Sequence, residues 1–405
     1  MSSPITNLTG EAAPADRTTQ LLKTTGYYAA FVALGLANAS LGPTLPGLAE
    51  QTQARFSEIS YLFTARSLGY LLASLLGGRL YDRLPGHALM AAMLLVMAAT
   101  LALAPLMPVL WLLAAVLLLL GIAESGLDVG GNTLLVWTHG DKVGPFMNGL
   151  HFFFGVGAFL APIIIAQALL IGGGIAWAYW TLALLMLPPA VWLLRQSSPT
   201  LPTVSAGEPA RPVNGALVAF IALFFFVYVG AEIGYGGWIF TYTVARSLGS
   251  ETVAAYLTSA FWGALTAGRL LSIPVAARLR PRTILVLDLA GCLASMAVIL
   301  LWPQSLAAVW LGTLALGLSM ASIFPTTLSL AERHLPISGR VTGWFFVGGS
   351  LGGMSLPWLI GQLFEAIGPQ VTMLAITVAL MAAVAVFVAL MLYLSTQSLP
   401  RETAV

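Results

Sequence analysis

Charge is what this sequence has least of: only 8% of its 405 residues are Asp, Glu, Lys or Arg. A soluble domain carries about 25%, so a water-soluble globular fold is excluded. A charge-rich disordered chain and a nucleic-acid-binding surface are excluded on the same ground. Cysteine is nearly absent too. Cys292, within an apolar run, stands alone, which rules out a disulfide framework and a thiolate metal centre. The polar N-terminal stretch lacks the charged-then-apolar layout of a cleavable leader and is expected to be a cytoplasmic tail. No nucleophile–His–Asp spacing and no metal-ligand cluster is present, so neither an enzyme nor a bound cofactor is expected.

What is abundant is apolar surface. Apolar residues make up 59% of the chain, enough for roughly twelve spans of about 20 residues each. Gly, Pro and charge clusters divide the apolar stretches into twelve spans, near 24–48, 57–80, 86–105, 108–136, 146–171, 174–195, 214–244, 252–275, 283–302, 305–331, 338–364 and 369–394. With both termini inside, the inner segments hold thirteen Lys and Arg residues and the outer loops only Arg55 and Arg246. That asymmetry predicts a multi-pass protein of the cell membrane with cytoplasmic termini.

The longest polar interruption, Gln196 to Asn214, separates two halves of nearly equal length. The expected organisation is an N-terminal six-helix bundle over 1–195 with its short tail, a cytoplasmic linker over 196–213, and a C-terminal six-helix bundle over 214–405. A shift of 195 positions lays Pro162–Gln167 on Pro357–Gln362 and Arg83–Leu84 on Arg278–Leu279. Internal repetition of six-span halves is the mark of a transporter with its site between the repeats.

A charge within a span costs at least ~2.5–3.5 kcal/mol on insertion scales and is a functional candidate by default. The candidates are Arg66, Glu124, Asp128, His151, Glu232 and Arg269. Glu124, Asp128 and Asn132 follow one another at i, i+4 and i+8 on one face of span 4, which must face protein or a watery cavity. Arg66 lies too deep in span 2 to reach water along its stem and needs a carboxylate partner. Glu232 shares a face of span 7 with Tyr228 and Tyr235, a set suited to sugar hydroxyls or to a buried acid satisfied by its neighbours. Asn148 and His151, one turn apart, are further hydrogen-bonding candidates. Trp238, Trp262 and Trp344 are possible stacking platforms or interfacial belt residues. The glycines of Gly348–Gly353 read as close helix packing.

The loop Gly77–Gly86 (G-G-R-L-Y-D-R-L-P-G) resembles the G-x-x-x-D-R-x-G signature of the major facilitator superfamily. The resemblance implies that Gly78, Asp82 and Arg83 form a latch for the outward-facing state. It is one-sided, since the corresponding loop of the second half has Ala277 where Asp82 stands. A narrower resemblance runs through both halves. Leu127–Asn132 (L-D-V-G-G-N), Asn148–Phe159 (N-G-L-H-F-F-F-G-V-G-A-F), Tyr228–Trp238 (Y-V-G-A-E-I-G-Y-G-G-W) and Ser322–Leu330 (S-I-F-P-T-T-L-S-L) are similar to segments of the fucose–galactose–glucose:proton symporter branch, and especially its sodium-dependent glucose transporter type.

The resemblance implies a major facilitator fold of twelve transmembrane helices in two bundles. It implies alternating-access uptake of a sugar, such as a hexose, with a proton or sodium ion. Asp128 and Glu124 are the implied coupling groups. Asn38, Asn132, Asn148, His151, Glu232, Tyr235, Trp238, Trp262 and Trp344 are the implied sugar contacts. The chain departs from the branch at Gly42, where the fucose symporter carries a second acid after its G-x-A-N segment. A proton-coupled exporter of lipophilic drugs and a non-transporting sugar sensor are the alternatives. The expected partners are a sugar and the lipid bilayer, with the protein a monomer.

Overall fold

The computed structural model describes residues 17–199, 214–335 and 339–397, with the surroundings of 76–78, 141, 339 and 340 excepted. Among the described residues the regular elements are helices, and they group into twelve rods. The first six are α1 (Arg17–Asn38 and Leu41–Thr52), α2 (Tyr61–Tyr81, after a short turn Phe56–Ile59), α3 (Gly86–Leu103), α4 (Leu110–His139), α5 (Gly144–Leu170) and α6 (Gly174–Leu185 and Leu187–Leu194). The second six are α7 (Gly215–Ala245), α8 (Glu251–Ala276), α9 (Pro281–Leu301), α10 (Leu306–Met320 and Ile323–Glu332), α11 (Gly339–Ile367) and α12 (Val371–Gln397). Most of the expected linker lies outside the described residues.

Three rods are broken where unbroken spans were expected, and proline explains each break. Proline has no N–H and its ring clashes with the carbonyl four residues earlier. Pro43 acts on Ala39 and Pro325 on Ala321, while Pro188 and Pro189 act on Leu184 and Leu185. The two pieces of α1 meet at 45°.

Eight rods are long and apolar enough to cross a membrane by themselves, or nine with the bent α1. The other three, α2, α8 and α11, carry more Gly, Ser, Thr and Arg. They pack across the bundle boundary, α2 against α11 and α8 against α5, so part of each is covered by protein. Large apolar side chains such as Leu75, Trp111, Leu184, Leu311 and Leu392 point outward and are exposed, as a lipid-facing surface requires.

Glycines set the helix crossings, and they repeat. A Cβ on Gly35 of α1 or Gly157 of α5 would strike the other helix's backbone at Phe154 and Val32. The equivalent crossing of α7 with α11 uses Gly352 against the carbonyl of Phe226. Likewise Gly121 of α4 lies on the carbonyl of Arg66, and Gly317 of α10 on that of Phe261. Gly157 and Gly352, like Arg66 and Phe261, are 195 positions apart, the offset read from the sequence repeat.

The bundles meet most tightly in the half of the molecule away from the termini. There a Cβ on Gly42 of α1 would come within 2.6 Å of the Gly236 carbonyl of α7. Trp238 packs on Phe63 of the other bundle and on Phe364. Glu365 of α11 accepts the backbone N–H groups of Phe56 (2.6 Å) and Ser57 (3.3 Å). Gln362 donates to the Ser57 carbonyl at 2.6 Å, and Ser259 of α8 donates to the Phe159 carbonyl of α5 at 2.6 Å.

Candidate functional site

The α2–α4 crossing gathers the deep charges of the first bundle. Arg66 and Tyr70 stand one turn apart on α2, facing Glu124 and Asp128 one turn apart on α4. Reciprocal glycine contacts, Gly69 on the Leu118 carbonyl and Gly121 on the Arg66 carbonyl, bring the helices close enough for both pairs to meet. Arg66 forms an ion pair with Glu124, with its Nε donating at 2.8 Å. Its terminal nitrogens also donate to the main-chain carbonyls of Asn38 (3.0 Å) and Ala37 (3.1 Å). These carbonyls sit at the α1 break, where the helix no longer supplies all its own donors. One guanidinium therefore satisfies an interrupted helix and a carboxylate at once, and Glu124 is only 2% exposed.

Asp128 lies one turn further along α4 and is half-buried. Tyr70 donates its hydroxyl to one carboxylate oxygen, and Asn132 donates its amide to the other at 2.9 Å. Asp128 is thus held by neutral donors, whereas Glu124 is held by a cation.

The second bundle contributes a looser set. Glu232 is half-buried and accepts the Tyr228 hydroxyl, which also donates to the Met320 carbonyl at 3.0 Å. Arg269 on α8 acts electrostatically on Glu232 and, across the bundle boundary, on His151 of α5. His151 and Asn148 are exposed, although each lies on a helix packed between other helices. The His151 ring meets Phe31 edge-on at 6.0 Å. These groups lie on the termini side of the tight inter-bundle contacts, at the boundary between the bundles. Asn38, half-buried at the α1 break, belongs to the same region.

Other expected contacts stand apart from this group. Tyr235 is fully buried, shares a 2.6 Å hydrogen bond with Thr313 and packs on Phe261. Trp238 is fully buried in the far closure, donating to the Pro357 carbonyl at 3.0 Å. Trp262 is buried beside Gly236 and Phe261, and its indole N–H has no partner among the described residues. Trp344 is 55% exposed near the other end of α11. Helical spacing places Tyr235 on the Glu232 face, but the neighbouring α10 captures its hydroxyl. Asp82 and Arg83 are exposed after α2, and neither forms an ion pair among the described residues. Gly78 is helical, and its surroundings lie outside the described residues.

Two functional candidates escaped the sequence reading. Tyr70 carries no charge, and its signal was its position one turn after Arg66, opposite the acid stripe. Asp288 is a lone acid within the apolar run of α9, which the intramembrane-charge criterion should have caught; Ser322 donates to it.

The family model described as Major Facilitator Superfamily matches residues 27–357. The chain is 34% identical over 358 residues to the sodium-dependent glucose transporter 1 of Xenopus laevis, covering 81% of this chain and 73% of that one. It is 33% identical over 374 residues to the sodium-dependent glucose transporter 1A of Mus musculus, covering 83% and 88% respectively. Among solved structures, a bacterial homologue of the human lysosomal transporter Spinster, in an inward-facing and unoccupied conformation, superposes with a TM-score of 0.73. The identity is 13%, over 95% of this chain and all of that one.

Proposed function

The chain belongs to the major facilitator superfamily, and we propose that it is a secondary active carrier that takes up a sugar together with a cation by alternating access. The observation that carries this reading is the polar cluster at the bundle boundary, whose exposed members we read as lining a gap for sugar. Asn148 and His151 of the first bundle are exposed, and Arg269 of the second acts on both His151 and Glu232, while the far half is closed by packing. A site shared between two rigid bodies, open on one side and closed on the other, is the minimum an alternating-access carrier requires. The names of the relatives point to glucose as the first cargo to try.

The excess of Lys and Arg on the termini side supports cytoplasmic termini in the cell membrane. The arrangement described here is then inward-facing. His151, Asn148, Arg269 and Glu232 offer donors and acceptors to sugar hydroxyls from both walls, so the bundles close around a bound sugar. Asp128 is the coupling group. On protonation it donates to Tyr70, reversing the direction of that hydrogen bond without moving the helices apart. Glu124 serves the fold through Arg66.

Counterflow of labelled glucose into proteoliposomes, with and without a sodium gradient and at several pH values, tests the proposal. Saturable counterflow that unlabelled hexose abolishes is the expected result. Failure with every hexose, alongside transport of lipophilic cations, overturns the sugar assignment in favour of drug export.

A further inference from the structure

The sugar site leaves the segment Ser322–Leu330 without a task. In the structure it begins at the break in α10. Pro325 has no N–H, so the Ala321 carbonyl loses the donor an unbroken helix would supply. Ser322, in the break, turns its hydroxyl to Asp288 of α9. Asp288 is the eighth residue of α9, about 10 Å into the helix at 1.5 Å per residue. It is half-buried, and no basic side chain pairs with it among the described residues. Another helix reaches the same break independently. Tyr228 of α7 donates to the Met320 carbonyl and to Glu232. The break in α10 therefore joins two carboxylates, Asp288 on α9 and Glu232 at the sugar gap.

We propose that Asp288 and Ser322, with the main-chain oxygens freed at the α10 break, form a sodium-binding site coupled to Glu232 through the break. A carboxylate, a hydroxyl and unwound-helix carbonyls make an all-oxygen set of the kind that holds sodium in other carriers with broken helices. Asp128 suits sodium less well, because Tyr70 and the Asn132 amide present hydrogens to both of its oxygens. The two acids divide the work: Asp128 takes up and releases the coupled proton while Tyr70 and Asn132 keep theirs, and Asp288 takes the metal ion. Sodium at Asp288 fixes the geometry of the break and so the position of Tyr228, which sets how Glu232 meets the sugar. This role in affinity rests on the sugar-carrier reading; the binding of sodium does not.

The test is equilibrium binding of radioactive sodium to the purified full-length protein in lipid nanodiscs without sugar. Saturable binding is expected for the unmodified chain and for Asp128→Asn, with loss in Asp288→Asn. Ser322→Ala keeps the carboxylate and should bind sodium several-fold more weakly, so it decides the matter if Asp288→Asn does not fold. Absent saturable binding in the unmodified chain, its loss in Asp128→Asn, or unchanged binding in both Asp288→Asn and Ser322→Ala would overturn the assignment. Labelled-glucose counterflow is read separately. Sodium binding without counterflow leaves this site standing and removes the sugar reading; counterflow without sodium binding does the reverse.

Discussion

Arg66 and Phe261 occupy equivalent crossings in the two bundles, each with its carbonyl against a glycine of the partner helix, yet their side chains do opposite things. Arg66 pairs with Glu124 and caps the broken α1. Phe261 packs tilted on Tyr235 (4.9 Å) and edge-on to Trp262 (5.2 Å). The difference follows the helix breaks. In the first bundle α1 is interrupted and α4 runs unbroken for 30 residues; in the second, α7 runs unbroken for 31 residues and its partner α10 is interrupted. An interrupted α1 leaves carbonyls that need a strong donor, and an intact α7 leaves none, so an aromatic core suffices. The backbone repeat is conserved between the halves, while the chemistry is assigned to one half or the other.

The comparison can be broken most severely at Arg66. Removing one member of a buried ion pair leaves the other uncompensated and costs about 3–5 kcal/mol. Arg66→Met and Glu124→Leu should each lower the melting temperature of the detergent-purified protein sharply, and the double variant should recover part of the loss. Arg66→Met should remain the worse single change, because it also abandons the Ala37 and Asn38 carbonyls. Equal stability of all three variants would remove the structural role assigned to the pair.

The sequence made some of this legible. Twelve apolar runs gave the rods, and the burial of Arg66 required a carboxylate partner. The offset of 195 positions legible in the two halves recurs at the equivalent helix crossings. The breaks were less legible, since a proline inside an apolar run fits an intact span and a broken one equally well. The aromatic residues were the hardest. Tyr235 and Trp238 sit on a plausible face of α7 by spacing alone, but whether a face meets cavity, core or closure depends on how deeply a neighbouring helix crosses it. Tyr70 was hidden because an uncharged tyrosine among apolar residues looks like core until its partner's position is known.

A second way to break the comparison lies at Gly42, the position of an acid in the resembling symporter. Here a Cβ comes within 2.6 Å of the Gly236 carbonyl, so Gly42→Asp cannot fit while the far half is closed. The variant should populate the opposite arrangement, separating Ser60 from Gly361 of α11, which touch across the far closure in this state. Cysteine labelling at Ser60 measures this; slow labelling that matches the parent protein would show that the closure tolerates a side chain.

The sugar gap sharpens the contrast, because its residues should matter for binding and little for folding. Asn148→Ala, His151→Ala and Glu232→Gln should each weaken glucose binding by roughly 1–3 kcal/mol, the penalty for leaving a partner unsatisfied. Asn148→Ala and His151→Ala change exposed residues, so their melting temperatures should stay near that of the parent. Unaltered binding in all three would leave the gap without a recognised cargo.

The smallest expected effect belongs to Asp82. In the arrangement described here it is exposed and forms no ion pair among the described residues, so Asp82→Asn removes nothing that stabilises this state. Its proposed contribution lies in the opposite state, where the termini-side ends of the bundles approach and Asp82 meets basic residues. An exposed pair of that kind contributes about 0.2–1 kcal/mol. That shifts a two-state population by no more than about fivefold, since 1.4 kcal/mol is needed for tenfold. Asp82→Asn should therefore raise the fraction open on the termini side modestly, seen as faster labelling of a cysteine placed at Asn148, with no loss of thermal stability. A large fall in melting temperature would instead assign Asp82 to the fold of the first bundle, and unchanged labelling would leave the latch to the neighbouring glycine and arginine.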